Sequence, residues 1–400
     1  MTQKAKLVFI TEESPYPPTS GGKLRDYCLI ELLRELFEIE LLVFDSIPGT
    51  SPPPGVILNL IERDKPCILR RALGRLRPYI LNGYSQNMEK AIQQHSSDSK
   101  ILWISRLVMA KYLIHANTLG YLTILDEHNI ESELLFKGAQ EYKGWLKRYY
   151  LQLALSCRKW EATFCSLATS VTVTSEEDRK RIQDLASISQ VQVIPNAVDC
   201  TYYESAPPVS ASPSSKSLNQ SILFTGTLDY APNIEGLRWF TQKVYPLLKE
   251  QLDGAVPSLT FLVAGARPSS LLIHELESSG IKVVANPPSM IPLLHSASIV
   301  IVPLLSGSGT RLKILEAMSA GKAIVSTSKG AEGLEIEDAK DLLIADTAED
   351  FAEAIVQLWN HTEIRQKLGQ NAVSTVRTRY DWRQLRPAIK RLIDEVLKKS

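Results

Sequence analysis

The sequence predicts an α/β protein made of two doubly wound, Rossmann-like domains. Short apolar runs alternate with longer amphipathic stretches, which is the pattern of strands and helices in α/β folds. The runs are apolar throughout, as expected for parallel strands that helices cover on both faces. A chain of 400 residues is also too long for one hydrophobic core, since a domain usually closes at about 100–200 residues.

In the first half, the apolar runs predict strands and the stretches between them predict helices. Strands are expected at Lys6–Thr11, Glu40–Phe44, Ile101–Ile104, Leu122–Asp126, Ser170–Thr174 and Val191–Ile194. Helical patterns between them include Lys23–Leu36 and Trp145–Ala168. Open α/β sheets bind ligands beyond the carboxyl ends of their strands, so a site is expected in the loops that follow these runs.

A Pro/Ser-rich stretch, residues 207–220, precedes a second series of strands and helices. It has almost nothing to bury, which is typical of a linker or a long surface loop. Strands are then expected at Ser221–Thr225, Thr260–Ala264, Lys282–Val284, Ile299–Val302, Ala323–Ser326 and Leu342–Ile344. Helices are expected at Asn233–Glu250, Leu271–Ser278, Arg311–Ala320, Ala348–Asn360 and Glu363–Arg379. Two Rossmann-like halves joined near residue 210 are therefore predicted.

The amino-acid composition indicates which binding partners and which cellular compartment to expect. The 45 basic and 44 acidic residues leave a formal charge of +1, so no global field attracts nucleic acid and no nucleic-acid partner is expected. Five cysteines without C-x-x-C spacing argue against a disulfide framework or a zinc site and favour buried thiols in a reducing compartment. The apolar run after Met1–Lys6 is too short for a signal peptide, and no run approaches the ~20 residues of a membrane span. A cytoplasmic protein is predicted.

The most informative loop is GSGTRLKILEAMSAG, residues 307–321, which follows an apolar strand. Gly307 and Gly309 let the backbone approach a ligand closely. Ser308 or Thr310 can cap the helix that follows. A helix N-terminus presents unpaired N–H groups and a partial positive charge, which suit a phosphate.

Charged side chains in the same loop suit a nucleoside diphosphate. Arg311 and Lys313 add cationic donors, and an arginine can bind phosphate oxygens bidentately. Glu316, about one helical turn further, can accept hydrogen bonds from vicinal hydroxyls such as those of a ribose. An ordinary Gly-capped helix with exposed charges explains the same residues equally well, because Gly-rich loops are common.

A second glycine pair follows the first predicted strand, in SPYPPTSGGKLRDY. Gly21 and Gly22 are expected to open a helix and to place backbone N–H groups at the carboxyl end of that strand. The spacing is not G-x-G-x-x-G, so the dinucleotide fingerprint is absent. Ligand contact and a simple Gly-rich N-cap are equally compatible with the pattern.

His128 lies in LDEHNIESE, another loop after a strand. Amid carboxylates, it can donate to a substrate hydroxyl or act as a general acid or base, although a lone histidine is more often structural. No second histidine follows at helical spacing, and the chain has no D-x-D pair. No metal is therefore expected, and positive charge for a diphosphate must come from side chains.

The loop FTGTLDYAPNIEG follows the first strand of the second half. Gly226 permits close approach of a ligand. Asn233 or Asp229 can contact that ligand or cap the helix, and capping is the more ordinary use.

Four segments, in this order, resemble family 4 of the retaining glycosyltransferases. They are VIPNAVD (193–199), ILFTGTLDYAPNIEGLRWF (222–240), GTRLKILEAMSAGKAIVSTSKGAEGL (309–334) and RYDWRQL (379–385). The resemblance covers nearly the whole chain and implies the GT-B fold, whose two Rossmann-like domains face each other across a cleft. It implies an acceptor-side domain at 1–205, a linker at 206–220, a donor domain at 221–378 and a helix at 379–400 that crosses back to the first domain.

The resemblance also implies roles for individual residues. Arg311 and Lys313 would bind the donor diphosphate, Glu316 would hold the ribose, and His128 would lie near the reacting sugar. The predicted catalytic residues are His128, Arg311 and Lys313. The predicted donor-binding residues are Gly21, Gly22, Gly226, Asn233, Gly307, Ser308, Gly309, Thr310 and Glu316.

The sequence departs from the family pattern at two places. Ser308 stands where the first glutamate of the family's E-x7-E motif is usual, and that glutamate usually reads hydroxyls of the donor sugar. Gly226, Thr227 and Leu228 occupy the region of a usual Arg/Lys pair. We therefore hypothesise that the cations of the 307–321 loop replace the lost charge.

The implied activity is transfer of a hexose-type sugar from a nucleoside-diphosphate donor to an acceptor hydroxyl, with retention of anomeric configuration, in polysaccharide or glycolipid synthesis. The acceptor is a saccharide, a lipid-linked molecule or a small molecule, and no cofactor or metal is expected. The alternatives are a non-catalytic nucleotide-sugar-binding protein, or another GT-B enzyme such as an epimerase.

One segment suggests peripheral contact with the inner face of the membrane. Residues 65–78, KPCILRRALGRLRP, are basic and apolar at helical spacing and could lie on an anionic bilayer surface. A solvated helix with one buried stripe is the more ordinary interpretation.

Overall fold

A computed structural model describes residues 4–18, 20–64, 84–140, 142–204, 221–252, 259–307 and 311–399. These residues form two compact units. The first contains the described residues of Met1–Pro18, Gly22–Pro195 and Leu385–Ser400, and the second contains those of Thr19–Gly21 and Asn196–Gln384. Each unit is built around one parallel sheet.

The sheet of the first unit has strand order β3-β2-β1-β4-β5-β6-β7, and its strand pairs are all parallel. In chain order, its elements are β1 (Lys6–Ile10), α1 (Gly21–Leu36), β2 (Glu38–Val43), β3 (Val56–Leu60), α2 (Gln86–Gln94), β4 (Ser99–Ser105), α3 (Leu113–Thr118), β5 (Leu122–Asp126), α4 (Glu131–Ala139), α5 (Gly144–Leu167), β6 (Ser170–Val173), α6 (Glu176–Ala186) and β7 (Val191–Val193). A 3₁₀ turn at Leu107–Tyr112 precedes α3.

The sheet of the second unit has order β10-β9-β8-β11-β12-β13 and is also parallel. Its elements are α7 (Cys200–Glu204), β8 (Ser221–Thr225), α8 (Ala231–Trp239), α9 (Tyr245–Leu252), β9 (Thr260–Gly265), α10 (Ser270–Ser278), β10 (Lys282–Ala285), α11 (Ile291–Ser296), β11 (Ile299–Val302), α12 (Leu312–Ser319), β12 (Ala323–Ser326), β13 (Leu343–Ile344), α13 (Ala348–Asn360) and α14 (Thr362–Arg379). After α14 the chain returns to the first unit with α15 (Arg386–Leu397).

The central strands are buried on both faces, which explains their apolar sequences. Every residue of β8 and β11 is buried, and so are four of the five residues of β1. Helices on both sides of each sheet exclude water from these strands, so alternation of polar and apolar residues is not needed. The prediction of two Rossmann-like sheets is confirmed.

Several elements differ from the sequence prediction, and two of them have a clear physical reason. The strand β3 was not predicted, because it is an edge strand with exposed apolar residues, Ile57 and Leu60, and it follows a Pro-rich turn. The single helix expected at Asn233–Glu250 is instead α8 and α9, joined by a π-helical turn at Phe240–Val244. The turn contains neither Gly nor Pro and continues the helix on both sides, so the sequence alone shows no break.

The boundaries of the units also differ from the predicted domains. Residues 196–204, expected in the domain 1–205, belong to the second unit, and the return to the first unit occurs at Leu385 rather than at residue 379. The two connections run side by side, since Val198 and Asp381 form a parallel β-bridge within the second unit. In the first unit, Arg386 of α15 forms an ion pair with Glu35 of α1 at 2.6 Å.

Some predictions fall on residues outside the described ranges. They are the linker 206–220, the basic segment 65–78, and Ser308, Gly309 and Thr310. The cysteines within the described ranges are buried thiols, as predicted: Cys28, Cys157, Cys165 and Cys200. Among the helices that are described, none has the length and apolarity to cross a membrane.

Candidate functional site

In the second unit, the loops after β8 and β11 lie at the point where the strand order reverses. Strand β8 pairs with β9 on one side and with β11 on the other, so connections leave to opposite sides of the sheet. Such a switch point leaves a crevice at the carboxyl ends of the strands. Gly226 follows β8 there, and Gly307 and Arg311 follow β11.

Arg311 occupies the N-cap position of α12, so the helix predicted from Arg311 begins at Leu312. Its side chain is 5% exposed and donates to the carbonyl oxygen of Gly307 at 3.1 Å. The carboxylate of Glu332 lies 3.6 Å from its guanidinium. Burial lowers the pKa of Arg311, against the charge of Glu332, but an arginine stays protonated at any working pH. A permanent cation is thus held at the start of a helix.

Lys313 is partly buried beside that arginine. Its ammonium donates to Oδ1 of Asn233 at 2.7 Å and lies 4.5 Å from the centre of the Phe224 ring. Burial and the positive charge of Arg311 lower the pKa of Lys313 to about 7, while Glu316 opposes this. The two cations therefore repel each other, and an anion placed between them would relieve this repulsion.

Asn233 connects the two loops of this site. Its Oδ1 accepts from Lys313, and its Nδ2 donates to the carbonyl oxygen of Thr227 at 2.7 Å. The side chain does not cap α8, whose N-cap is Tyr230, so the more ordinary use predicted for it is wrong. Gly226 is required next to it, because a Cβ there would lie 2.9 Å from both Lys313 Nζ and Asn233 Nδ2.

Glu316 faces a partner that the sequence did not suggest. The hydroxyl of Tyr203, on the short helix α7, donates to its Oε1 at 2.9 Å. Burial raises the pKa of Glu316, against this hydrogen bond and the charge of Lys313. A carboxylate has two acceptor oxygens, so Oε2 can accept from a ligand hydroxyl. Together, Arg311, Lys313 and Glu316 offer two cations and one acceptor along one turn of α12.

In the first unit, His128 lies in a buried polar cluster after β5. Its Nε2 is 3.1 Å from Asp126, 3.4 Å from Asp26 and 3.2 Å from the hydroxyl of Ser105. Burial by itself lowers the pKa of His128, but the hydrogen bonds and charges of the two aspartates outweigh it and raise that pKa. The two aspartates therefore favour the protonated form of the ring.

The two aspartates are neutralised by neighbours as well as by His128. Arg25 binds Asp126 with two hydrogen bonds, 2.8 and 2.6 Å long, and Thr172 also donates to it. Asp26 accepts from Thr11 at 2.9 Å and from Ser105 at 2.6 Å. Although burial favours their neutral forms, these contacts and His128 lower the pKa of both carboxyls. Both are anionic at neutral pH.

The glycine pair lies next to this cluster. As predicted, α1 begins at Gly21. A Cβ on Gly22 would lie 3.7 Å from Nδ1 of His128 and 3.9 Å from the guanidinium of Arg106. Arg25 and Asp26, one turn along α1, were missed as site residues, although GGKLRDY places them at helical spacing from Gly22.

Asp26, Asp126 and His128 are also the described residues that could hold a metal ion, with one ligand atom each within 4.8 Å of the others. Their oxygens already accept hydrogen bonds from Arg25, Thr172 and Ser105. A metal would have to displace a bidentate guanidinium from Asp126, so this donor set suits a protonated histidine better. The absence of a metal requirement stays a prediction.

A buried carboxyl pair lies behind the His128 loop. Glu161 of α5 accepts from the backbone N–H of Glu131 at 2.7 Å and of Ser132 at 3.4 Å, and from the Ser132 hydroxyl, so it caps α4. Burial raises the pKa of Glu161 to about 7, and it raises the pKa of Glu127 well above its usual range. Burial and the neighbouring carboxylates therefore favour the neutral form of Glu127.

Comparison with known proteins finds a family model that matches part of the chain. Residues 219–361 match the family Glycosyl transferases group 1. The group 1 segment contains Gly226, Asn233, Arg311, Lys313 and Glu316. Over 397 residues, the chain is 23% identical to an uncharacterized 44.6 kDa protein in the cps region of Klebsiella pneumoniae, covering 94% of this chain and 97% of that protein.

Solved structures similar to the chain show its fold. A sucrose-phosphate synthase from Thermosynechococcus elongatus has a TM-score of 0.72 at 14% identity, covering 99% of this chain and 100% of that one. Anabaena HepE in complex with UDP-glucose has a TM-score of 0.65 at 14% identity, covering 97% and 99%. The fold is thus that of GT-B glycosyltransferases, with two Rossmann-like parallel-sheet domains.

Proposed function

We propose that this protein is a glycosyltransferase that uses a nucleoside-diphosphate sugar as donor. The observation that carries the proposal is the pairing of Arg311 and Lys313 at the start of α12, buried at the switch point of the second sheet. Two cations held beside helix N–H groups would bind a diphosphate and stabilise the charge that develops on it as the leaving group. Glu316 would accept from the ribose hydroxyls.

Two comparisons support the choice of donor. The group 1 family covers this segment, and HepE, which shares the fold, is described in complex with UDP-glucose. The resemblance adds a hexose-type sugar, retention of configuration and a cytoplasmic location to the proposal. The acceptor in this proposal is a saccharide, a lipid-linked molecule or a small molecule.

In this reaction, His128 would donate a hydrogen bond to the transferred sugar or its phosphate. The two aspartates raise its pKa and so favour the protonated imidazole, and they occupy Nε2, so Nδ1 on the Gly22 side would face the ligand. Arg25 and Asp126 would fix the orientation of the ring without contacting substrate. No metal ion is needed in this proposal, because side chains supply the charge.

The first experiment is a thermal-shift screen against nucleotides and nucleotide sugars, followed by calorimetric titration of the best ligand. A ligand that binds only the folded protein raises its melting temperature. The variant Arg311→Ala/Lys313→Ala should lose binding by about a hundredfold or more, since each charge-assisted contact contributes roughly 1.5–3 kcal/mol.

The matched control is Arg238→Ala/Lys249→Ala, which removes two exposed cations from the same unit. It should bind the ligand as the native protein does. Equal affinity in the Arg311/Lys313 variant and the native protein would overturn the proposed site.

Ser308, which replaces a usual glutamate, favours a second candidate, a protein that binds a nucleotide sugar without transferring it. Incubation with the ligand from the screen separates the two, because even slow hydrolysis to nucleoside diphosphate requires leaving-group stabilisation. Release of nucleotide supports the transferase, an epimerised nucleotide sugar indicates an epimerase, and binding without any product indicates the non-catalytic protein.

A further inference from the structure

One face of helix α5 carries large apolar side chains in contact with solvent. Trp145 is 75% exposed, Tyr149 is 53% exposed and Leu155 is 51% exposed. Helical spacing places them on one side with exposed polar residues, and we call this set the α5 face: Trp145, Arg148, Tyr149, Gln152, Leu155 and Lys159. The opposite side of α5 carries Ala154, Cys157 and Phe164 into the core of the first unit.

The residues around this face are basic, and the sequence between them contains no acidic residue to balance their charge. Between Tyr142 and Trp160 there are five basic residues and no acidic one: Lys143, Lys147, Arg148, Arg158 and Lys159. None of these five residues forms an ion pair with another described residue. Most arginines elsewhere in the described part of the chain do form one. The chain as a whole carries only +1, so this charge is local.

The aromatic residues at the start of α5 are arranged as a rigid group. The rings of Tyr142 and Tyr150 are stacked with centroids 4.4 Å apart, and Tyr149 meets Tyr150 edge-on at 5.5 Å. This packing holds the base of the group, while the indole of Trp145, one turn away, faces solvent. Exposed aromatic surface of this extent is uncommon on a soluble protein without a partner.

We propose that the α5 face docks on the surface of an anionic lipid bilayer. Tryptophan and tyrosine favour the level of the lipid headgroups, where an amphipathic ring meets both apolar and polar surroundings. Unpaired lysines and arginines are attracted to the negative surface potential of such a bilayer. A soluble polyanion would satisfy the cations only, while the bilayer also removes Trp145 and Leu155 from water.

This docking surface is independent of the donor site. It uses no residue of the proposed catalytic machinery, and it is distinct from the basic segment 65–78 that the sequence suggested for membrane contact. If the acceptor is lipid-borne, docking would concentrate the protein on the surface that carries it.

Flotation of the full chain with vesicles tests the proposal. Vesicles of phosphatidylcholine alone are compared with equimolar phosphatidylcholine and phosphatidylglycerol, at low and at high salt. The native chain should float with the anionic vesicles, and high salt should weaken this binding because it screens surface charge. Arg148→Ala/Lys159→Ala should lower the partition about fivefold for each cation removed. Trp145→Ala/Tyr149→Ala should lower it at unchanged charge.

The control Lys390→Ala/Arg391→Ala removes the same charge from the exposed side of α15 and should bind vesicles as the native chain does. Circular dichroism confirms that each variant is folded. Two results overturn the proposal: no flotation of the native chain, or an equal loss in the control. A third result would also overturn it: light scattering after gel filtration could show that the native chain is a dimer and that Trp145→Ala/Tyr149→Ala is a monomer. The α5 face would then join two copies of the chain instead of binding a bilayer.

Discussion

Lys313 illustrates how the surroundings of one side chain change its chemistry. An exposed lysine is a cation up to about pH 10, whereas burial and the neighbouring Arg311 lower the pKa of Lys313 to about 7. Near neutral pH this ammonium is therefore close to losing its proton. A bound diphosphate would stabilise the charged form, so binding and protonation of Lys313 should be coupled.

We therefore expect affinity for the nucleotide sugar to fall as pH rises above 7. A ligand that needs the ammonium form binds less well once that form is depleted, by at most about tenfold per pH unit. Calorimetric titration at a series of pH values and constant ionic strength measures this. Titration in buffers of different ionisation enthalpy should show proton uptake on binding, and a flat pH profile without uptake would contradict the assignment.

At this scale, local sequence predicts some contacts and not others. Arg311, Lys313 and Glu316 lie within one loop and helix turn, so their shared chemistry is visible in the sequence. Tyr203 contacts Glu316 across 113 residues, and Arg25 contacts Asp126 across 101. Nothing in the neighbourhood of Tyr203 or Arg25 signals such a partner, since the fold alone brings them together.

Helix α4 shows the same point for an element. It was not predicted, because two glutamates, one lysine and one glycine interrupt its nine residues and its N-cap, Ile130, makes no side-chain hydrogen bond. The N-terminal N–H groups are satisfied instead by Glu161 of α5, thirty residues away. The segment that carries His128 is thus fixed by a buried carboxyl that titrates near neutral pH.

This carboxyl should make stability depend on pH. The pKa of Glu161 is about 7 in the folded protein and 4.5 ordinarily, so between these values the folded protein holds a proton that the unfolded chain releases. The free energy of unfolding should therefore fall as pH rises from 4.5 to 7 and level off above 7, with a contribution on the order of 3 kcal/mol.

The variant Glu161→Gln stays neutral and should lose that part of the slope, as measured by urea unfolding at each pH. Glu349→Gln, an exposed position on α13, is the control and should keep the native slope. If Glu161→Gln keeps it as well, the buried carboxyl does not titrate in this range.

For the whole molecule, two parallel sheets could be predicted because each strand is apolar along its whole length. Such a sequence is typical of a parallel strand that helices cover on both faces. The boundary between units was misplaced by about ten residues, since α7 is too short to show a period and is held in the second unit by Tyr203. The position of the proposed site in the second unit also predicts where ligand protection should appear.

Hydrogen exchange should locate the donor in the second unit. A bound nucleotide sugar should slow exchange in residues 226–239 and 311–319, which contain the two loops of the proposed site. Helix α10, Ser270–Ser278, lies in the same unit, contributes no residue to the proposed site and should exchange as before. Mass spectrometry of peptides from both regions measures this, and protection confined to α10 or to the first unit would refute the placement.

The paired connections at Val198 and Asp381 have a consequence for the history of this chain. The N–H of Val198 donates to the carbonyl oxygen of Tyr380, and the N–H of Trp382 donates to the carbonyl oxygen of Val198. The segments where the chain enters and leaves the second unit are therefore hydrogen-bonded to each other. That unit is in effect a cassette inserted into the first, with its two ends closed by its own hydrogen bonds. Recombination at these two points would replace the whole second unit, including the proposed donor site, while the chain segments of the first unit and α15 stay unchanged.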